Sequence, residues 1–292
     1  MQVAKKLIFQ SLASLYRKEE IESISKLIFE KVLGLSRLQV YLNQHETISA
    51  TNLVQIKEII SRLAQFEPIQ YILGETEFYG LKFIVNQNVL IPRPETEELV
   101  EWIVNDAQNL TPQILDIGTG SGCIPVSLLK NLPKATAEAW DISTKALDVA
   151  KMNASVHQVD VGFFYADVLN SVFPEYQKLY DIIVSNPPYV TESEQTQMQR
   201  NVTEYEPGLA LFVADNDPLI FYRLIADLAL SWLKIGGNLY FEINEIFGNE
   251  VVELLKSKGF DNVVLKKDIN GKDRMVRADL KSDFILPLSE PK

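Results

Sequence analysis

Apolar residues recur at helical spacing in the first third of the chain and in short strand-like runs beyond it. Ile21, Ile24, Leu27, Ile28 and Val32 share one helical face, and Leu53, Ile56, Ile60 and Leu63 share another. The polar run Asn43-Gln44-His45-Glu46 separates them, and Thr51-Asn52 offers the second helix a start. These stripes predict a small helical domain over residues 1–67 that buries its own core. From Pro68 the period shortens. Tyr71-Ile72-Leu73-Gly74 and Glu77 to Val85 predict paired strands, so residues 68–94 read as a β-hairpin linker. Pro92 and Pro94 then hold Arg93 in an extended segment. Glu95, Glu97 and Glu98 open an amphipathic helix through Val104, where carboxylates favour the helix dipole.

Residues 95–292 read as a single α/β domain. Strand-like runs at Gln113–Ile117, Ala137–Asp141, Val161–Tyr165, Asp181–Ser185 and Asn238–Ile243 alternate with helical stretches. Asn262–Lys267 and Arg274–Ala278 add an antiparallel hairpin around Gly271, giving a seven-stranded Rossmann-like sheet. The span Val190–Asp217 lacks a period. A loop of that length is usually functional, and it is expected to act as a substrate lid. The tail from Leu286 to Lys292 is expected to be mobile.

Two motifs carry chemistry. Gln113–Ile117 runs into Gly118-Thr119-Gly120-Ser121-Gly122 and then into an apolar helix from Cys123, the first unit of a nucleotide-binding sheet. The glycines permit a tight turn and close approach of a ligand to the backbone. Asp141 ends the next strand, where a carboxylate can accept from both hydroxyls of a ribose. Asp167, with Val168, follows the third strand, where its carboxylate can accept from an adenine amine. A dinucleotide is the competing ligand. The Gly-x-Gly-x-Gly spacing disfavours it, and Asp116 would repel a diphosphate yet suit the sulfonium and ammonium of S-adenosylmethionine.

The second motif is Asn186-Pro187-Pro188-Tyr189, just past the strand Asp181–Ser185. Two prolines fix φ and donate nothing, so the corner is stiff and its carbonyls can face outward. The Asn186 amide, the Pro187 carbonyl and the Tyr189 ring would converge on a small planar group bearing an NH2. Such a corner can hold an amide or amino nitrogen while a group is transferred to it.

Composition narrows the setting. The 292 residues carry a net charge of −11, which disfavours a non-specific grip on nucleic acid. One cysteine excludes an internal disulfide, and with only two histidines no metal cluster is expected. Cys123 reads as a small buried hydrophobe, and His45 and His157 as loop and helix-end residues. Gln10 and Ser11 interrupt the only leader-like run, Leu7-Ile8-Phe9, and no stretch has membrane-spanning length, so a cytoplasmic protein is expected.

Five segments together resemble the release factor glutamine methyltransferases, the PrmC/HemK family: Pro68–Gly74, Ile91-Pro92-Arg93-Pro94-Glu95-Thr96-Glu97, Leu115–Gly122, Ser185–Tyr189 and Tyr205-Glu206-Pro207. The resemblance implies a class I methyltransferase sheet. It also implies methylation, by S-adenosylmethionine, of the glutamine side-chain nitrogen in the Gly-Gly-Gln motif of peptide chain release factors. The helical domain would serve substrate recognition. Val168 departs from the Trp that some members place beside the adenine. Three alternatives stay open: a ribosomal-protein glutamine methyltransferase, an adenine-N6 DNA methyltransferase acting on a flipped base, and a non-catalytic adaptor.

Overall fold

A computed structural model describes residues 1–42, 47–175 and 178–281; His45 and the tail from Leu286 lie outside them. The chain forms two compact units. The first comprises Met1–Glu75 with Gln199–Tyr205, and the second comprises Thr76–Met198 with Glu206 onward.

The first unit is helical: α1 (Gln2–Leu12), α2 (Lys18–Leu33), α3 (Arg37–Leu42), α4 (Ala50–Leu63) and α5 (Ile69–Leu73), joined by α9 (Arg200–Tyr205). Its core is built from Ile8 and Leu12 of α1, Ile21, Ile24 and Ile28 of α2, and Ile56, Ile60 and Leu63 of α4. α4 starts earlier than Thr51-Asn52, because the Ser49 hydroxyl accepts the Asn52 N–H at 3.1 Å. α5 replaces the strand expected at Tyr71–Gly74. Pro68 closes the first turn by accepting from Tyr71 and Ile72, and Gly74 ends the helix in the left-handed region at φ 73°.

In the second unit, β1 (Glu75–Phe78), whose first residue belongs to the other unit, and β2 (Leu81–Ile84) form a hairpin ahead of α6 (Pro94–Asp106). The main sheet is made of β3 (Gln113–Ile117), β4 (Thr136–Asp141), β5 (Val161–Tyr165), β6 (Tyr180–Ser185), β9 (Leu233–Glu242), β10 (Phe260–Lys267) and β11 (Asp273–Leu280). Its spatial order is β5-β4-β3-β6-β9-β11-β10, with β11 alone antiparallel to both neighbours. This is the seven-stranded Rossmann-like arrangement expected, with its topological switch point between β3 and β6.

Both sheet faces are covered, which explains why the strands read as continuous apolar runs. Ile114 faces a layer containing Leu99 and Ile103 of α6, Val126 of α7 (Cys123–Asn131) and Ala154 of α8 (Thr144–His157). Leu115 and Ile117 face the opposite layer, with Ile225 and Ala229 of α10 (Ile220–Trp232) and Val251 and Leu255 of α11 (Gly248–Ser257). In that second layer Trp140 meets Trp232 edge-on at 4.9 Å, and Trp232 stacks on Tyr180 at 6.2 Å. Such pairs add about 0.5–1.5 kcal/mol each beyond area burial, and they fix the strand end that carries Asp141.

The span Val190–Asp217 is more ordered than its sequence implied. It holds a short parallel pair, β7 (Val190–Thr191) with β8 (Phe212–Val213), a 3-10 turn at Glu192–Gln197 begun by a Thr191–Glu194 capping box, and α9. Among the described residues, no helix is long and apolar enough to cross a membrane.

Candidate active site

The register of the two central strands builds the site. Ile117 of β3 lies opposite Ser185 of β6, and the Ser185 hydroxyl donates to the Ile117 carbonyl at 2.6 Å. The next residues are Gly118 and Asn186, so the glycine turn and the proline corner emerge side by side at the switch point. A Cβ on Gly118 would stand 4.0 Å from the Asn186 carbonyl oxygen.

The glycine turn is held open by backbone geometry. Gly118, Gly120 and Gly122 have φ of 77°, 55° and 77°, a region that favours glycine. The N–H groups of Gly118 and Thr119 donate to the Trp140 carbonyl at 2.8 and 3.0 Å, tying the turn to β4. Asp141 accepts from Gly120 N–H at 2.9 Å and from Ser143 N–H at 2.8 Å. Burial raises its carboxyl above the usual range, and these N–H groups oppose the rise.

Gly118, Gly120, Asp141, Asp167, Val168, Asn186, Pro187 and Pro188 line one cleft. Asp167 carries less freedom than its position implied. Its two oxygens already accept from the backbone N–H and side-chain amide of Asn170, at 3.1 and 2.7 Å.

Asp116, Thr119, Ser121 and Gly122 lie behind the cleft wall rather than on it. Asp116 is fully buried, and neither carboxylate oxygen has a hydrogen-bond partner. The Thr119 and Ser121 hydroxyls are buried without partners too. Burial pushes the Asp116 carboxyl up to about 7; the nearby Thr119 hydroxyl opposes this without reaching hydrogen-bond geometry, and the Asp141 charge adds to the rise. A buried carboxylate lacking donors is costly. A cationic ligand group at the turn would relieve it. The residues therefore fit S-adenosylmethionine, whose ammonium and sulfonium are the complementary charges.

The corner is the opposite case, fully connected. Asn186 donates through Nδ2 to the Thr96 hydroxyl at 3.2 Å, and Thr96 donates to Glu242 Oε2 at 2.5 Å. Tyr189 donates to Glu242 Oε1 at 3.0 Å. Asn244 braces the turn by donating to the Tyr189 carbonyl at 3.1 Å. Tyr189 thus lies off the cleft wall, anchored beneath the corner. Burial raises the Glu242 carboxyl, while Thr96, Tyr189 and the Arg274 charge lower it and the Glu95 charge raises it further. Burial raises the Tyr189 phenol as well, helped by Glu242, so it stays a donor. Two acceptors remain: among the described residues, nothing donates to Asn186 Oδ1 or to the Pro187 carbonyl.

Sequence reasoning missed Thr96 and Glu242. Thr96 sits in the first turn of α6, inside the Pro-Arg-Pro-Glu-Thr-Glu segment, where a threonine reads as unremarkable. Glu242 had a visible signal: a carboxylate set inside the apolar run Leu239-Tyr240-Phe241-Glu242-Ile243. Arg93 was singled out, and its partner is now plain. Buried Glu206 accepts from Arg93 Nη2 at 2.7 Å and from the Ile91 N–H at 3.0 Å, joining two of the motifs.

The sequence matches the Methyltransferase small domain over residues 95–205 and the PrmC N-terminal domain over residues 6–74. A release factor glutamine methyltransferase of Flavobacterium psychrophilum is 49% identical over 276 residues, covering 93% of this chain and 96% of the relative. One from Bacteroides thetaiotaomicron is 47% identical, covering 93% and 97%. Among solved structures, the hMettl16 catalytic domain bound to a MAT2A 3′UTR hairpin superposes with a TM-score of 0.56 at 16% identity, over 90% of this chain and 95% of that one. A methyltransferase from Pyrococcus furiosus gives 0.51 at 14% identity, over 76% and 97%. The two structures share the fold, whereas the two relatives share sequence along nearly their whole length: the chain belongs to the release factor glutamine methyltransferase family.

Proposed function

We propose that the chain transfers a methyl group from S-adenosylmethionine to the side-chain amide nitrogen of the glutamine in the Gly-Gly-Gln motif of peptide chain release factors. The observation that carries this reading is the pair of unfilled acceptors, Asn186 Oδ1 and the Pro187 carbonyl, emerging beside Gly118 at the switch point. A primary amide offers two N–H donors to match them.

Asp141 would hold the ribose hydroxyls, Asp167 and Val168 the adenine edge and face, and Asp116, buried behind the wall, would balance the charge of the cationic end without touching it. S-adenosylmethionine supplies the electrophilic methyl when bound. The protein's own work is positioning. An amide nitrogen is a poor nucleophile because its lone pair is delocalised into the carbonyl. Accepting both N–H groups at a stiff corner orients that lone pair and favours the charge that builds on the amide as the new bond forms. The proton released passes to solvent. Alignment in such a site can contribute roughly 7–11 kcal/mol, so no strong base is required.

The helical unit is proposed to recognise the body of the release factor. It incorporates Gln199–Tyr205, and the chain continues directly into Glu206 and the cleft-lining Pro207. Such a substrate places the reaction in the cytoplasm.

Asn186→Ala should abolish transfer to a release factor while leaving S-adenosylmethionine affinity nearly intact, measured with labelled methyl donor and calorimetry. Mass spectrometry of the product should find the mark on the Gly-Gly-Gln glutamine. A mark on a ribosomal protein or on adenine instead, or full activity of the variant, would overturn the reading.

A further inference from the structure

We propose that Glu242, acting through Thr96, is a positioning residue that sets the polarity of the Asn186 side chain, so that Asn186 presents oxygen rather than NH2 to the substrate. The inference rests on the proposed role of Asn186 and deepens it.

An asparagine amide is nearly symmetric in shape but opposite in chemistry at its two ends. With its NH2 toward the cleft, Asn186 would meet the NH2 of a substrate amide donor to donor. Something must therefore choose the orientation, and the hydrogen-bond chain does so by elimination. Each Glu242 oxygen receives a hydroxyl, Oε2 that of Thr96 and Oε1 that of Tyr189, so Glu242 is the acceptor in both bonds. The Thr96 hydroxyl, 2.5 Å from Oε2, is thereby committed to donate. Its remaining capacity is to accept, and only the Nδ2 end of Asn186 can fill it, at 3.2 Å. Oδ1 is left for the substrate. The other Glu242 oxygen takes the Tyr189 hydroxyl at 3.0 Å, so the same carboxylate fixes both polar ends of the corner.

Three strands of the sequence meet here from different places: Thr96 on α6, Asn186 after β6 and Glu242 at the end of β9. Glu242 is 1% exposed and Thr96 3%, so water cannot substitute for either partner. A buried carboxyl joined to two hydroxyls, with Arg274 as the nearby cation, is costly to assemble for stability alone. Direction is what it supplies. The arrangement also selects substrate class: two acceptors at a fixed corner suit an NH2 group and leave a carboxylate side chain facing acceptors with no donor to meet it.

The test uses the full-length enzyme with a release factor substrate. Thr96→Val removes the hydroxyl at constant shape, Thr96→Ser restores it, and Glu242→Gln replaces one acceptor with a donor. Thermal unfolding and cofactor affinity identify folded variants. We expect Thr96→Val and Glu242→Gln to lose about 10²-fold in kcat with cofactor affinity unchanged, and Thr96→Ser to keep most of the wild-type kcat. Thr96→Val and Thr96→Ser falling together would mean a packing role and overturn the proposal. So would wild-type kcat in Thr96→Val alongside an inactive Asn186→Ala, an outcome that leaves the function reading standing. An active Asn186→Ala would remove both.

Discussion

Two turns leave the same end of the sheet, one after β3 and one after β6, and their polar groups are treated in opposite ways. Behind the glycine turn, the side-chain oxygens of Asp116, Thr119 and Ser121 are buried without hydrogen-bond partners. Behind the proline corner, Asn186, Thr96, Glu242 and Tyr189 form one connected chain. A ligand that arrives bearing cations can complete the first set, so leaving it open converts binding energy into relief of a buried charge. The second must already point the right way when a weak nucleophile arrives, so its bonds are made in advance. On the proposed function, open turn and closed corner would correspond to binding and to orientation.

Removing the carboxylate from each turn should therefore change stability in opposite directions, which is the sharpest way to break the comparison. Asp116 is raised from 3.8 to about 7 on folding, so its contribution is fully present below about pH 4 and lost as pH rises through 7. Ligand-free Asp116→Asn should be the more stable protein at pH 8, by at most about 4 kcal/mol. It should also bind S-adenosylmethionine more weakly, and the gap should close toward acid pH. Glu242→Ala strands the Thr96 and Tyr189 hydroxyls and should cost about 2–4 kcal/mol. Denaturant unfolding of the ligand-free variants at several pH values measures both. A destabilised Asp116→Asn at pH 8 would mean that the glycine turn is satisfied without a ligand.

A smaller effect belongs to the strap that ties the Pro-Arg-Pro segment to the insert after the corner. Glu206 has a side chain only 1% exposed and takes Arg93 as its cation, itself 30% exposed. Arg93→Ala leaves the carboxylate with the Ile91 N–H alone. The expected loss is about 1–3 kcal/mol, since a buried acceptor loses its charged partner while part of the pair is solvated. Because Pro207, Leu209 and Ala210 line the cleft just beyond Glu206, KM for the release factor should rise more than stability falls. Steady-state kinetics beside thermal unfolding separates the two. An unchanged KM with lowered Tm would confine the strap to stability.

Most of the seven strands were legible because they are buried on both faces and bounded by turn residues, a pattern that one sequence displays; the edge strand β10 is largely exposed and was legible through its turn at Gly271. The glycine turn was legible through its spacing and Asp141. What failed shares a physical cause. Tyr71–Gly74 is too short for its period to separate helix from strand, and the deciding features were its ends, Pro68 and the left-handed Gly74. The insert after Tyr189 looked irregular because its strands, Val190–Thr191 and Phe212–Val213, are two residues each and pair across twenty intervening positions of chain. Thr96 and Glu242 acquire meaning only from each other, and no local pattern joins residues so far apart. Motifs marked the candidate site; the partners that hold its side chains came from distant positions.

The smallest effect concerns Val168, the departure from the Trp that some relatives place beside the adenine. Val168 is half-buried, lines the cleft, and packs against the core layer that holds Trp140. An aliphatic wall gives an adenine contact area without a π-face. Val168→Trp adds the face, and offset stacking is worth about 0.5–1.5 kcal/mol, or roughly a twofold to thirteenfold gain in cofactor affinity. The gain should appear in binding and leave kcat alone, because on the proposed reading the adenine end lies on the open side of the comparison and takes no part in orienting Asn186. Calorimetry of the two proteins at one salt concentration, with kcat at saturating cofactor, decides the matter. Tighter binding together with altered kcat would show that the two turns communicate, and would dissolve the division between a turn that waits for its ligand and a corner that is finished beforehand.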